Sequence, residues 1–143
     1  MIVTKGFTVE GKYMELSLEQ EYKGKMPVSG FSEFWVLPFQ YKHFDAEGLP
    51  VQSEQQQVQM LLVKAIEKIA ASAVICLVGT LFYEQRQELF FYSKVEDMKT
   101  IGKIVEKLPF DFSEAKHFFE PPQYFDDINW WKVEGYYKLF EKY

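Results

Sequence analysis

Apolar residues recur along this chain with two periods, two and about 3.6, and the switches between them outline its elements. In residues 2–22 the period is two. Phe7 and Val9 share a side of one extended stretch, and Met14, Leu16 and Leu18 share a side of the next. Glu10-Gly11-Lys12 between them reads as a hairpin turn. Residues 23–32, KGKMPVSGFS, read as a loop. Period two returns over residues 33–44, where Trp35, Leu37, Phe39 and Tyr41 share a face. Pro38 breaks the ladder logic of that strand, and a bulge there would reconcile it.

The turn Asp45-Ala46-Glu47-Gly48-Leu49-Pro50 precedes a helical stripe of Val58, Leu62, Ala65, Ile66 and Ile69. Ser53 with Gln56 has the spacing of a capping box, so the helix is expected from about Ser53 to Ser72. Ala73–Tyr83 is a continuous apolar run and reads as a buried strand. Glu84–Gln87 is expected to turn the chain and Glu88–Tyr92 to return it. Ser93 with Glu96 forms a second capping box before a stripe of Met98, Ile101, Val105 and Leu108. A strand over Phe110–Phe119 and a last helix follow. Asp126 or Asp127 is expected to cap that helix, and Trp130, Val133, Tyr137 and Phe140 form its apolar stripe.

From 33 to 119 the order is therefore β-α-β-β-α-β, the ferredoxin-like split βαβ pattern. The expected class is α+β, with a four-stranded antiparallel sheet and two helices on one face. The N-terminal hairpin and loop, residues 1–32, would extend the sheet. The C-terminal segment, residues 120–143, would cover its other face. All 143 residues fit one domain.

Composition narrows the function classes. The formal net charge is -5, and Arg86 is the single arginine among 16 basic residues. Lys64, Lys68, Lys99, Lys103 and Lys107 are interleaved with Glu67, Glu96 and Glu106, which describes solvated helix faces. Direct nucleic-acid binding is not expected. Nor is a membrane span, because the longest clean apolar run, Ala73–Gly79, is far below the roughly 20 residues needed. One cysteine and no secretory h-region point to the cytoplasm.

Candidate chemistry is thin. Cys76 lies inside an apolar run and reads as a small buried hydrophobe. His43 and His117 stand on separate strands that do not bring them together, and no His/Cys spacing marks a metal site. Gly79-Thr80 leads into more strand rather than a helix start, so it cradles no phosphate. No catalytic residue and no cofactor is expected. The aromatics are the anomaly, with 12 of 26 falling in the last 34 residues. One helical face cannot bury them all, and tryptophan and tyrosine dominate binding hot spots.

Residues 79–92, GTLFYEQRQELFFY, resemble a segment of the uncharacterised bacterial domain-of-unknown-function family six-nine-five. The turn at Asp45–Pro50 resembles that family's turn before its first helix. Asp126, Asp127, Trp130 or Trp131, and Tyr136 or Tyr137 resemble its closing acid-tryptophan-tyrosine stretch. The resemblance departs where Gln87 intervenes between Arg86 and Glu88. That family is similar to the RraB-like group, the regulators of ribonuclease E activity B. The resemblance implies a small cytoplasmic regulator with a ferredoxin-like core, acting through protein contacts, and it carries no catalytic residues over.

The resulting expectation is a non-enzymatic protein-binding domain whose candidate contact residues are Arg86, Glu88, Trp130, Trp131 and Tyr136. A homodimer is compatible with it. Two alternatives stand beside it: an immunity protein that neutralises a basic toxin, and a small hydrolase using Asp126 or Glu120 with His117.

Overall fold

The computed structural model describes residues 1–108 and 123–143. Its strands are β1 (Ile2–Val9), β2 (Lys12–Glu19), β3 (Glu33–Gln40), β4 (Ile75–Tyr83), β5 (Arg86–Ser93) and β6 (Gln123–Asp126). Its helices are α1 (Gln52–Ala70), α2 (Met98–Glu106) and α3 (Trp131–Lys142). The strands form one sheet in the order β1-β2-β4-β5-β3-β6, with every neighbouring pair antiparallel.

Two apolar clusters lie back to back on this sheet, because β3 and β5 are buried on both faces. Trp35, Leu37 and Phe39 of β3, with Leu89 and Phe91 of β5, pack under α1 and α2 through Val58, Leu62, Ala65, Ile69, Ile101 and Val105. Phe34, Val36, Phe90 and Tyr92 face the other way. They meet Phe7, Met14, Leu16 and Leu18 of the hairpin and Trp130, Val133, Tyr137 and Phe140 of the α3 stripe. The mixed α/β class, the sheet-extending hairpin and the covering C-terminal helix are all as the periodicity predicted.

The hairpin turn works because Glu10 and Gly11 both take positive φ, 52° and 81°, as a two-residue primed turn requires. The β4–β5 turn uses the same geometry without glycine, with Glu84 at 50° and Gln85 at 68°. Only those two residues turn the chain, so β5 starts at Arg86 rather than Glu88.

Pro38 causes no bulge. The β3–β5 register runs unbroken from Glu33↔Ser93 to Gln40↔Arg86. Tyr41 donates its backbone N–H to the Gln85 carbonyl, so odd positions of β3 point toward β5 and even ones away. The donor that Pro38 lacks would have pointed at the other flank, where β6 reaches only Glu33–Val36. The bulge is in β4 instead, between Leu77 and Gly79.

Neither serine box forms. α1 begins at Gln52 after Val51. Ser93 ends β5, where its hydroxyl accepts the Trp35 indole N–H at 2.9 Å. The strand expected over Phe110–Phe119 lies outside the described residues. Among the described residues the strand on the flank of β3 away from β5 is Gln123–Asp126, which the sequence had placed on the approach to the last helix.

Candidate functional site

The start of α3 is held by one buried carboxylate. Asp127 accepts the Tyr92 hydroxyl at 2.7 Å and the backbone N–H groups of Trp131 and Lys132 at 3.1 Å each. Its own N–H donates to the Ser32 carbonyl at 2.7 Å. An aspartate here satisfies orphan donors and meets the positive end of the helix dipole. Burial, and then the bond to Asp127, pushes the Tyr92 phenol far above its ordinary range, which keeps it a donor. Of the two aspartates the sequence offered as caps, Asp127 does the work and Asp126 belongs to β6.

Trp130 is the second anchor. It sits just before α3 in the left-handed region, at φ 58° and ψ 33°. Its ring stacks on Tyr92 at 4.0 Å and 3°, and its indole N–H donates to the Phe31 carbonyl at 2.7 Å. With 0% of its surface exposed, Trp130 is core and offers nothing to a partner.

These two anchors turn the neighbouring residues outward. Trp131 is 71% exposed, Ile128 65%, Tyr124 57% and Phe125 44%. The inner sides of Tyr124 and Phe125 lean on Trp35 (4.9 Å) and Phe34 (5.2 Å), one on each face of the sheet. A short stretch, 124–131, thus gathers exposed aromatic and aliphatic side chains at the β6 end of the sheet. Glu33 lies beside it, opposite Asp126 in the register. Burial, and secondarily the Asp126 charge, raises the Glu33 carboxyl above its usual range.

The other sequence candidates lie apart from this stretch. Arg86 and Glu88 are half-buried on β5, opposite Tyr83 and Leu81 of β4. The Tyr136 ring packs on Phe90 at 4.9 Å. Its phenol is pushed up to about 12, first by burial and then by the Glu88 charge. Glu88 and Tyr136 therefore share one neighbourhood, while Trp131, five residues earlier on the helix, points elsewhere. Tyr124, Phe125 and Ile128 were not singled out in the sequence. The signal for Tyr124 and Phe125 was the short apolar pair just before Asp126-Asp127.

Among the described residues there is one carboxylate–imidazole pair. Glu54, buried in the first turn of α1, accepts the His43 N–H at 2.9 Å, the His43 Nδ1 group at 2.8 Å and the Lys42 N–H. Two of these three bonds go to backbone, which makes Glu54 a tether for the segment entering α1. Cys76 is buried on β4, and burial pushes its thiol up. Of the hydrolase set, only Asp126 falls within the described residues; His117 and Glu120 lie outside them. Among the described residues, no group of three His, Cys, Asp or Glu side chains could hold a metal ion. No described helix is long and apolar enough to cross a membrane.

A family model, DUF695, described as a family of unknown function, matches residues 6–123. Comparison with curated proteins and with solved structures finds no match.

Proposed function

We propose a protein-binding, regulatory role for this chain, which belongs to the DUF695 family. The observation that carries the proposal is the run of exposed side chains Tyr124, Phe125, Ile128 and Trp131 along the β6 edge, with Tyr124 and Phe125 on opposite faces of the sheet. Exposed large apolar groups gathered in one place mark interaction sites, and a tryptophan at such a site is the commonest anchor. The exposed carboxylate of Asp126 beside it favours a partner that presents a basic residue next to an apolar one. A basic toxin is one such partner, and the net charge of -5 suits it. We also read the inner strands as ferredoxin-like. Their order β6-β3-β5-β4, with antiparallel neighbours, supports that reading.

The test compares the wild-type chain with Trp131→Ala. Affinity capture from native lysate at physiological salt is expected to retain a defined partner on the wild type and lose it on the variant. Thermal melting should be unchanged within about 0.5 kcal/mol, as for an ordinary surface substitution. Equal recovery by both proteins, or none by either, removes the proposal.

A further inference from the structure

We infer that Glu33 and Asp126 together bind a hard divalent cation of the magnesium type where β6 joins β3. Three carboxylates are buried among the described residues. Two of them are well supplied with donors. Glu54 accepts three N–H groups, and Asp127 accepts the Tyr92 hydroxyl and two N–H groups. Glu33 is the exception. It is only 8% exposed, yet among the described residues neither it nor Asp126 has a hydrogen bond or an ion pair from its side chain. Buried glutamates are rarely left unpaired, and a buried polar group without a partner in the chain calls for one from outside it.

The sheet brings the two carboxylates together. The Ser32 carbonyl accepts the Asp127 N–H, so even positions of β3 hydrogen-bond toward β6. Glu33 and Asp126 are therefore a non-hydrogen-bonded pair, the kind whose side chains stand closest. Both lie on the face that carries α1 and α2, Glu33 in step with Trp35 and Asp126 in step with Tyr124. On the other flank of Glu33 stands Ser93, whose hydroxyl is taken by the Trp35 indole and the Lys94 carbonyl. The Lys94 ammonium is turned to the Phe31 ring, 5.5 Å from its centre.

Charge and access select the ligand. A divalent ion matches two carboxylates, and it relieves the repulsion that, after burial, holds the Glu33 carboxyl above its usual range. Magnesium is bound through one or two carboxylates and keeps several of its waters, so a pair is enough. Asp126 is exposed and gives the ion its entry, while Glu33 supplies the buried end of the site. A lysine from a partner brings a single charge and leaves one carboxylate unmatched. A proton serves Glu33 alone and leaves Asp126 as it is. The site stands on this pair and does not depend on the role proposed for Trp131.

Manganese is a paramagnetic stand-in for magnesium, and water-proton relaxation during a manganese titration of the full chain reads the occupancy. The wild type is expected to bind one ion per chain and to release it to excess magnesium. Glu33→Gln and Asp126→Asn should each weaken binding roughly tenfold or more, since each removes a charged ligand. Glu106→Gln, on the exposed side of α2, removes the same charge elsewhere and should leave the affinity unchanged. Circular dichroism checks the fold of each variant. If Glu33→Gln does not fold, Asp126→Asn on the exposed strand decides alone. A wild type that binds no manganese overturns the inference. So does equal weakening by Glu106→Gln, which is the mark of diffuse attraction to an acidic surface. A folded Glu33→Gln that binds as the wild type does also overturns it, because Glu33 is then no ligand.

Discussion

Glu33 on β3 stands directly opposite Asp126 on β6 with only 8% of its surface exposed. Burial penalises the charged form, and the like charge of Asp126 facing it across the ladder adds to the penalty. The folded-state carboxyl is accordingly raised above its reference of 4.5. The sign follows from proton counting: just above 4.5 the folded chain holds this proton more tightly than the unfolded chain does. The stabilisation linked to Glu33 is thus fully present below that value and is lost as pH rises through the folded-state titration. Glu33→Gln removes the charge and keeps the shape. It is expected to raise stability at pH 7 by up to about 1 kcal/mol and to change little at acid pH. Denaturant titrations of wild type and variant at both pH values give the difference directly. A variant less stable at pH 7 would show that the Glu33 charge is satisfied by a partner. At the same scale Trp130 explains why part of the aromatic excess is structural. Its stack on Tyr92 and its bond to Phe31 use the whole indole, leaving Trp131 as the tryptophan a partner could reach.

Elements defined by periodicity were legible, and those defined by single backbone angles or by pairing were not. The α1, α2 and α3 stripes, and the face of β3 shared by Trp35, Leu37 and Phe39, follow from side-chain spacing alone. The two-residue length of the β4–β5 turn, expected over Glu84–Gln87, does not. Glu84 and Gln85 hold positive φ against their own preference because the flanking strands fix them, and no sequence signal announces that. The serine boxes failed for a related reason, since Ser93 was claimed by the Trp35 indole and by the strand. β6 was missed because four exposed residues become a strand only through β3 beside them. Of the candidate site, Trp131 was visible, while Tyr124, Phe125 and Ile128 needed the sheet edge to be known. β4 provides the sharpest test of an element. A Cβ on Gly79 would lie 1.8 Å from the Ser17 carbonyl oxygen, which is backbone of β2 and cannot swing away. Gly79→Ala should therefore cost roughly 2–4 kcal/mol by prising β2 from β4. Gly102→Ala on α2, where nothing lies within 4 Å, should be neutral or slightly stabilising. Equal melting temperatures for the two variants would refute the close approach.

At the scale of the whole molecule, the family match and the structural unit do not coincide. The match ends at residue 123, where β6 begins, so the rest of β6 and all of α3 lie beyond it. Yet α3 supplies Val133, Tyr137 and Phe140, with Trp130 at its start, to the cluster that contains Phe34, Phe90, Tyr92 and the hairpin residues Leu16 and Leu18. Burying four large side chains contributes roughly 1.5–3 kcal/mol each, or about 6–12 kcal/mol together. That is comparable with the whole stability of a domain of this size, about 5–15 kcal/mol. Removing α3 would also leave Tyr92 without Trp130 and without its hydrogen bond to Asp127. A chain ended at Pro122 is therefore expected to lose its cooperative melting transition and to bind a hydrophobic dye strongly. If the shortened chain instead melts cooperatively without binding dye, α3 is an attachment rather than half of the core. The exposed residues at its start would then belong to a detachable arm and not to the rigid end of a sheet.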